Sequence, residues 1–327
     1  LQVSNTNQDT KPKMSSSKHL HASFDIPEGG QTMRLDHFLS IKLPNKSRNV
    51  IQKHIKSQMV LVNDKKSKSS YQLKPFDKVK WFESFRKLEE LIPYDYDLDI
   101  LEENESFIVV NKPANMSMHP GLGVYKETLQ NALQHHYNVT NQTEALVKDC
   151  LVQRLDKDTS GIVVVPKTIQ AREHLGDQFK GKSTKRIYHA IVWGTPDPLE
   201  GTIKKFIGRN PMDEMSIEVS EDEAFGKMAI TNYKTIKSYK DFSVVECELE
   251  TGKTHQIRVH MQYIGHPLVG DKRYEKMQYT GNSQLQNTIG RHCLHARLLH
   301  FDHPVTLERM RYEIGWPEDL KNILEKF

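Results

Sequence analysis

Asp156 lies in the run Arg154-Leu155-Asp156-Lys157-Asp158-Thr159-Ser160-Gly161, which passes directly into the apolar stretch 162–165. A polar loop anchored on a core strand holds its side chains still, and a carboxylate held in this way can act as nucleophile or general base. The same residue types are ordinary turn formers, so the run taken alone equally describes a tight turn before a strand. A second cluster is Thr251-Gly252-Lys253-Thr254-His255-Gln256-Ile257-Arg258-Val259-His260-Met261, followed by Gly265, His266 and Pro267. With Thr254 as N-cap and Gly265 at C′, residues 255–264 should form one helix, with Ile257, Met261 and Ile264 on one face and Arg258 beside His255 and Gln262. His255 and His260 are five apart and fall on different helical faces, so a shared metal is not expected. A third cluster, residues 110–121, leaves a strand for a loop punctuated by Pro and Gly that ends in His119-Pro120-Gly121, and such loops often line sites. The fourth is Lys185-Arg186-Ile187-Tyr188, a strand with a basic start whose tyrosine would by itself be read as packing.

Elements must position these clusters. Short β-rich runs at 107–110, 162–165, 188–194, 230–236 and 242–249 are separated by turns or single helices, one of them at 169–180 between Thr168 and Gly181. Strands and helices mixed without a regular βαβ alternation indicate an α+β body on a mixed, mostly antiparallel sheet with flanking helices. Upstream, Leu35, Phe38, Leu39 and Leu43 fall at helical spacing and stop at Pro44. Ser47 can cap a second helix through Ser57, with Val50, Ile51 and Ile55 inward and Arg48, Gln52 and Lys56 on one outer face. Strands follow at 59–62 and 78–82, with turns at Asn63-Asp64 and Pro75.

The net charge of +4 conceals a division, because residues 34–82 hold 12 Lys/Arg against 3 Asp/Glu, a local +9 that leaves −5 for the remainder. A small basic module on a mildly acidic body suits a nucleic-acid-binding appendage of a catalytic domain, although a solvated lysine-rich surface has the same composition. Residues 1–31, rich in Ser, Lys, Gln and Thr, are expected to be a disordered leader. The module should span 32–83, an acidic linker 84–95, and the catalytic domain 96–327. No apolar run approaches the roughly 20 residues of a spanning helix, so no membrane association is expected. Cys150, Cys247 and Cys293 are too scattered for a metal pair and odd in number for a disulfide framework, which points to a reducing, cytoplasmic compartment. There is no internal repeat, no GxGxxG and no phosphate loop, so neither cofactor nor metal is expected.

The two helices and small sheet of 34–82 resemble the α-L RNA-binding motif of a small-subunit ribosomal protein and several RNA modifiers. The whole ordered series then resembles the RluA-type pseudouridine synthases, in their RluD-like branch. It consists of Asn111-Lys112-Pro113 with His119-Pro120-Gly121, Arg154-Leu155-Asp156 with Thr159-Ser160-Gly161, Lys185 to Tyr188, Thr251 to Met261, and His295-Ala296 with His303-Pro304. Two positions depart from that pattern: Gln153 stands where the family often has His, and Lys253 where it usually has Arg.

The resemblance implies isomerisation of uridine within RNA, preferably large-subunit ribosomal RNA, by a monomeric enzyme without a cofactor. Asp156 would be the essential carboxylate, attacking the anomeric carbon or removing a neighbouring ribose proton to give a glycal. Either route needs an ionised Asp156, which the cation Arg258 would favour and orient. Tyr188 would stack on the uracil, Arg154 would fill the vacated base stack or hold a phosphate, and Ile257 and His119 would line the substrate. Arg34, Arg48, Lys53 and Lys56 would make sequence-independent phosphate contacts. Three other readings remain open at this point. One is a transfer-RNA pseudouridine synthase, and one is a non-catalytic RNA-binding assembly factor. The third is a haloacid-dehalogenase-type phosphatase that reads Asp156-Lys157-Asp158-Thr159 as its DxDxT loop, which normally follows an apolar strand rather than preceding one.

Overall fold

The computed structural model describes residues 17–29, 32–43, 48–85, 91–121, 124–142, 150–210, 212–213, 216–275 and 289–326. The chain divides into two compact units, residues 1–90 and 91–327.

In the first unit, β1 (Ser17–Asp25) precedes helices α1 (Leu35–Lys42) and α2 (Arg48–Lys56). Strands β2 (Val60–Val62), β3 (Lys65–Lys66) and β4 (Lys78–Phe85) follow, in an antiparallel sheet of order β1-β4-β2-β3. Asn63 and Asp64 both take positive φ, 51° and 61°, the backbone of a tight two-residue hairpin between β2 and β3. Leu35, Leu39, Ile51, Ile55, Val79 and Trp81 form the core, so the helices bury one stripe each, as their spacing requires.

Three expectations need correction here. The disordered leader holds a strand over Ser17–Asp25, because Ala22, Phe24 and Ile26 alternate toward the core and β4 offers an open edge. The polar residues around it obscure that alternation. Val50 is exposed, since a helix of nine residues turns only Ile51 and Ile55 inward. Ser47, the expected cap, lies outside the described residues. In the stretch read as linker, Phe85 ends β4, while residues from 91 onward pack with the second unit: Asn131 Nδ2 donates to the Ile92 carbonyl at 2.8 Å, and Tyr94 and Tyr96 lie against its core.

The second unit is built on one large sheet, whose strands are β5 (Ile100–Glu103), β6 (Phe107–Lys112), β7 (Ser160–Pro166), β8 (Lys185–Trp193) and β9 (Glu200–Arg209). They continue with β10 (Ile217–Ser220), β11 (Lys227–Ser238), β12 (Phe242–Leu249), β13 (Leu294–Asp302) and β14 (Arg309–Glu313). The order is β10-β9-β11-β12-β8-β13-β7-β6-β5, with β14 paired to β13, and β13–β7 is its parallel pair. Helices α3 (Leu129–Val139), α4 (Ile169–Gly181), α5 (Gln256–Tyr263) and α6 (Glu318–Lys326) cover its faces.

Every residue of β7 is buried, with Val163 and Val165 toward one core and Ile162 and Val164 toward another. That two-sided burial explains a continuous apolar run in place of an alternating one. Thr168 caps α4 by accepting from the Ala171 N–H at 3.1 Å. The helix ends one residue later than expected, on Lys182 at φ 61°, with Gly181 still helical.

Candidate active site

Asp156 sits in the tight loop just before β7, its carbonyl accepting from the Thr159 N–H at 3.1 Å. Three tethers fix that loop. Lys112, fully buried at the end of β6, donates from Nζ to the carbonyls of Pro113 (2.7 Å), Met116 (2.8 Å) and Lys157 (3.2 Å), joining the 113–116 turn to the Asp156 loop. Burial, and then the charge of Arg291, lower its pKa to about 7. Arg291 donates from Nη1 to the Asp158 carbonyl at 2.9 Å and pairs through Nε with Asp319 at 2.7 Å. Thr159 Oγ1 lies 2.8 Å from His292 Nε2. At the strand entrance Gly161 has φ 121°, and a Cβ there would lie 2.6 Å from the Ala296 nitrogen, so only glycine allows β7 and β13 to meet.

Helix α5 brings the cation. Arg258 Nη1 donates to Asp156 Oδ2 at 2.9 Å, while its Nε and Nη2 grip Asp271 Oδ2 and Oδ1 at 2.7 and 2.9 Å. Burial disfavours the Arg258 charge, but bonding to Asp271 and then to Asp156 outweighs it, so the guanidinium is held above its ordinary value. Asp271 is held low by the same pair against the cost of its burial.

The expected N-cap at Thr254 is not used. His255 occupies that position in the left-handed conformation, φ 55°, with no side-chain cap. The start of α5 is pinned by Gln256, whose Oε1 accepts from Lys253 N and Thr251 Oγ1 and whose Nε2 donates to the Ile230 carbonyl and Thr231 Oγ1. Gly265 does follow the helix with φ 87°, as its C′ position requires. His255 and His260 diverge: His255 Nε2 lies 3.8 Å from Asp156 Oδ2, whereas His260 is buried against Thr231.

Asp156, His255 and Arg258 line a cleft of about 1010 Å³, together with His119, Gln153, Arg154, Arg186, Tyr188 and Ile257. Tyr188, on β8, has its hydroxyl pKa raised by burial and stays neutral. Burial, and then Arg154, lower the pKa of the His119 imidazole. Gln153 presents a buried Nε2 with no hydrogen-bond partner among the described residues. Asp156, Arg258, Tyr188, Arg154, Ile257 and His119 are thus brought together from loops, a strand and a helix far apart in sequence.

Arg34, Arg48, Lys53 and Lys56 belong to the first unit, where they divide into two kinds. Arg34 Nε and Nη2 bond Asp36 at 3.0 and 3.1 Å, and Arg48 Nη2 and Gln52 Nε2 reach the same buried carboxylate at 3.3 and 2.9 Å. On the outer face expected from Arg48, Gln52 and Lys56, Arg48 and Lys56 are exposed, while Gln52 is half-buried and, like Nη2 of Arg48, reaches the buried Asp36 carboxylate. Lys53 and Lys56 are exposed.

Sequence reasoning missed Asp271, Tyr274, Arg291 and His292 and gave no role to Lys112; the pairs that employ these residues mostly span long sequence separations, such as the 133 positions between Arg291 and Asp158. The phosphatase reading fails on topology, since the apolar strand β7 follows the Asp156 loop.

A family model described as RNA pseudouridylate synthase matches residues 106–263, and an S4 domain model matches residues 33–79. The uncharacterized RNA pseudouridine synthase YlyB of Bacillus subtilis (strain 168) is 37% identical over 301 residues, covering 91% of this chain and 95% of its own. This chain belongs to the RNA pseudouridylate synthase family. It is an enzyme that isomerises uridine in RNA, and its first unit carries an S4 domain. Another relative, the ribosomal large subunit pseudouridine synthase D of Xylella fastidiosa (strain Temecula1 / ATCC 700964), is 36% identical over 91% of this chain and 90% of its own. The fold agrees with the solved structure of Human RNA Pseudouridylate Synthase Domain Containing 4, at TM-score 0.57 and 22% identity over 69% of this chain and 92% of that one. Among the described residues, no helix is long and apolar enough to cross a membrane.

Proposed function

We propose that this synthase acts on uridines of large-subunit ribosomal RNA, with Asp156 as its essential carboxylate and no cofactor. The supporting observation is the carboxylate of Asp156, held by Arg258 at 2.9 Å in a cleft that Tyr188 also lines. Isomerisation breaks the bond between ribose C1′ and uracil N1, rotates the ring, joins C1′ to C5, and moves the C5 proton to solvent while N1 gains one. Every heavy atom is retained, so no electron carrier or group donor is consumed. Asp156 serves as nucleophile at C1′ or as base at C2′, and Arg258 Nη1 orients its carboxylate in either case.

The uridine must leave its stack to reach the cleft, at a cost of a few kcal/mol. Tyr188 supplies a stacking face for the extruded uracil, Ile257 packs at its edge, and Arg154 and His119 at the rim meet the backbone or the vacated stack. Lys53 and Lys56, with the outer edges of Arg34 and Arg48, meet phosphates through the S4 domain. The choice of ribosomal RNA rests on the names of relatives such as the Xylella fastidiosa enzyme. The protein is taken to act as a monomer in the cytoplasm.

The test is incubation of the protein, in chelator, with ribosomal and transfer RNA lacking pseudouridine, followed by carbodiimide primer-extension mapping with Asp156→Ala in parallel. New stops in large-subunit RNA with the wild type alone are the expected result. Stops confined to transfer RNA move the substrate, and stops that survive Asp156→Ala remove the carboxylate.

A further inference from the structure

His255 adopts φ 55° and ψ 19° at the entrance to α5, a left-handed conformation that costs a non-glycine residue on the order of 1–3 kcal/mol. The conformation delivers its imidazole between two functional groups. Nδ1 lies 2.6 Å from the Tyr274 hydroxyl, and Nε2 lies 3.8 Å from Asp156 Oδ2.

The tautomer follows from hydrogen-bond accounting. The Tyr274 oxygen accepts the backbone N–H of Ile217 at 3.0 Å, which favours donation of its own hydrogen to another acceptor over acceptance of a second N–H. Among the described residues, the acceptor within its reach is His255 Nδ1. The ring proton then resides on Nε2, the nitrogen facing Asp156. Burial first, and the cations Arg258 and Arg273 after it, lower the pKa of His255 against the pull of Asp156 and Asp271, so the ring is neutral at pH 7. Tyr274 is itself held in place, its ring edge-on to His255 at 5.5 Å and facing the Arg258 guanidinium at 4.9 Å.

We propose that His255 is a positioning residue for the isomerisation: its Nε2–H, fixed in that tautomer by Tyr274, closes onto Asp156 Oδ2 when RNA is seated. Oδ2 is then held by two donors, Arg258 and His255. Oδ1, which has no hydrogen bond among the described residues, is left to reach the ribose. A separation of 3.8 Å is not a hydrogen bond, but contacts of this kind tighten in the substrate complex. The inference rests on Asp156 being the essential carboxylate.

The experiment is single-turnover kinetics on a cognate RNA, with RNA affinity measured separately, for His255→Leu, His255→Gln, Tyr274→Phe and Asp156→Ala. His255→Leu should slow the chemical step about 30-fold with RNA Kd within about twofold of wild type, the split that marks an interaction made on the way to the transition state. His255→Gln retains an N–H toward Asp156 and should recover most of that loss. Tyr274→Phe, which unlocks the tautomer, should slow the step about fivefold. The proposal is overturned if His255→Leu turns over within about threefold of wild type, if its defect lies wholly in Kd, or if Gln does no better than Leu. Should His255→Leu fail to fold, an unchanged rate in Tyr274→Phe overturns it instead. Full activity in Asp156→Ala would place the failure in the carboxylate assignment rather than in His255.

Discussion

Arg258 serves two carboxylates at once, with Nη1 on Asp156 at 2.9 Å and its other edge in a bidentate grip on Asp271. Asp271 is 1% exposed, so its charge is balanced chiefly by this guanidinium. Its function is to aim Arg258. Replacing Asp271 by Asn keeps the shape and halves the grip, and the chemical step should slow about 10- to 100-fold, equivalent to about 1.4–2.7 kcal/mol. RNA affinity should change little. Rapid-quench measurement of pseudouridine formation, alongside filter binding, separates the two.

Tyr188 offers a face and a hydroxyl, and two substitutions resolve them. Tyr188→Ala removes the stacking surface and should weaken binding of target RNA by about 1–3 kcal/mol. Tyr188→Phe should keep that affinity. If the hydroxyl assists loss of the C5 proton, the Phe variant turns over more slowly at equal Kd. Equal affinity loss in both variants would count against stacking.

Gly161 permits β7 to approach β13 directly behind the Asp156 loop. Gly161→Ala must displace the Ala296 backbone and also adopt φ 121°, a combination that should cost at least about 2 kcal/mol. The expected result is a lowered Tm together with a loss of activity, since Ser160 and Thr159 move with the strand. Gly181→Ala, at a helix end with open space around it, is the matched control.

In the S4 domain the Arg34 guanidinium, helped by Gln52 and Arg48, holds Asp36 well below its ordinary 3.8 despite the opposing cost of burial. A depressed carboxylate contributes stability that is fully present above the unfolded value and is lost progressively as pH falls from there through the lower, folded value. Protection of the α1 and α2 amides from hydrogen exchange should therefore hold at pH 6 and fall progressively below about pH 4. Asp36→Asn should remove that pH dependence and lower protection at neutral pH by about 1.5–3 kcal/mol.

Lys53 and Lys56 are exposed cations of α2, as is Arg48, and phosphate binding by the two lysines has a distinct signature. Replacing both by Gln should weaken RNA binding and, on single-stranded RNA, reduce the salt slope by about 0.7 log unit per decade for each phosphate no longer neutralised. An unaltered slope would show that this helix does not touch RNA.

Much of the architecture was legible because it is local. The cap at Thr168, the apolar run of β7, the stripe of α1 and the Ile51–Ile55 pair of α2 each depend on neighbours within a few residues, and each lies where its spacing places it. β1 was hidden because its alternation spans few residues and matters only once the edge of β4 exists to receive it. The start of α5 was misplaced for a related reason: Gln256 is pinned to β11, and a tertiary contact overrode the cap that Thr254 could have made.

The sequence by itself determined which carboxylate lies in a rigid loop, that a basic module precedes the catalytic body, and, through resemblance, which arginine, tyrosine and isoleucine accompany Asp156. Only the tertiary structure decided that Asp271 orients Arg258, that Lys112 and Arg291 tether the Asp156 loop, and that His255 lies between Tyr274 and Asp156. The physical reason is range. Backbone preference and hydrophobic period act along the chain, whereas a hydrogen bond between residues 102 positions apart, such as Arg258 to Asp156, exists only after packing brings both ends together, here to 2.9 Å.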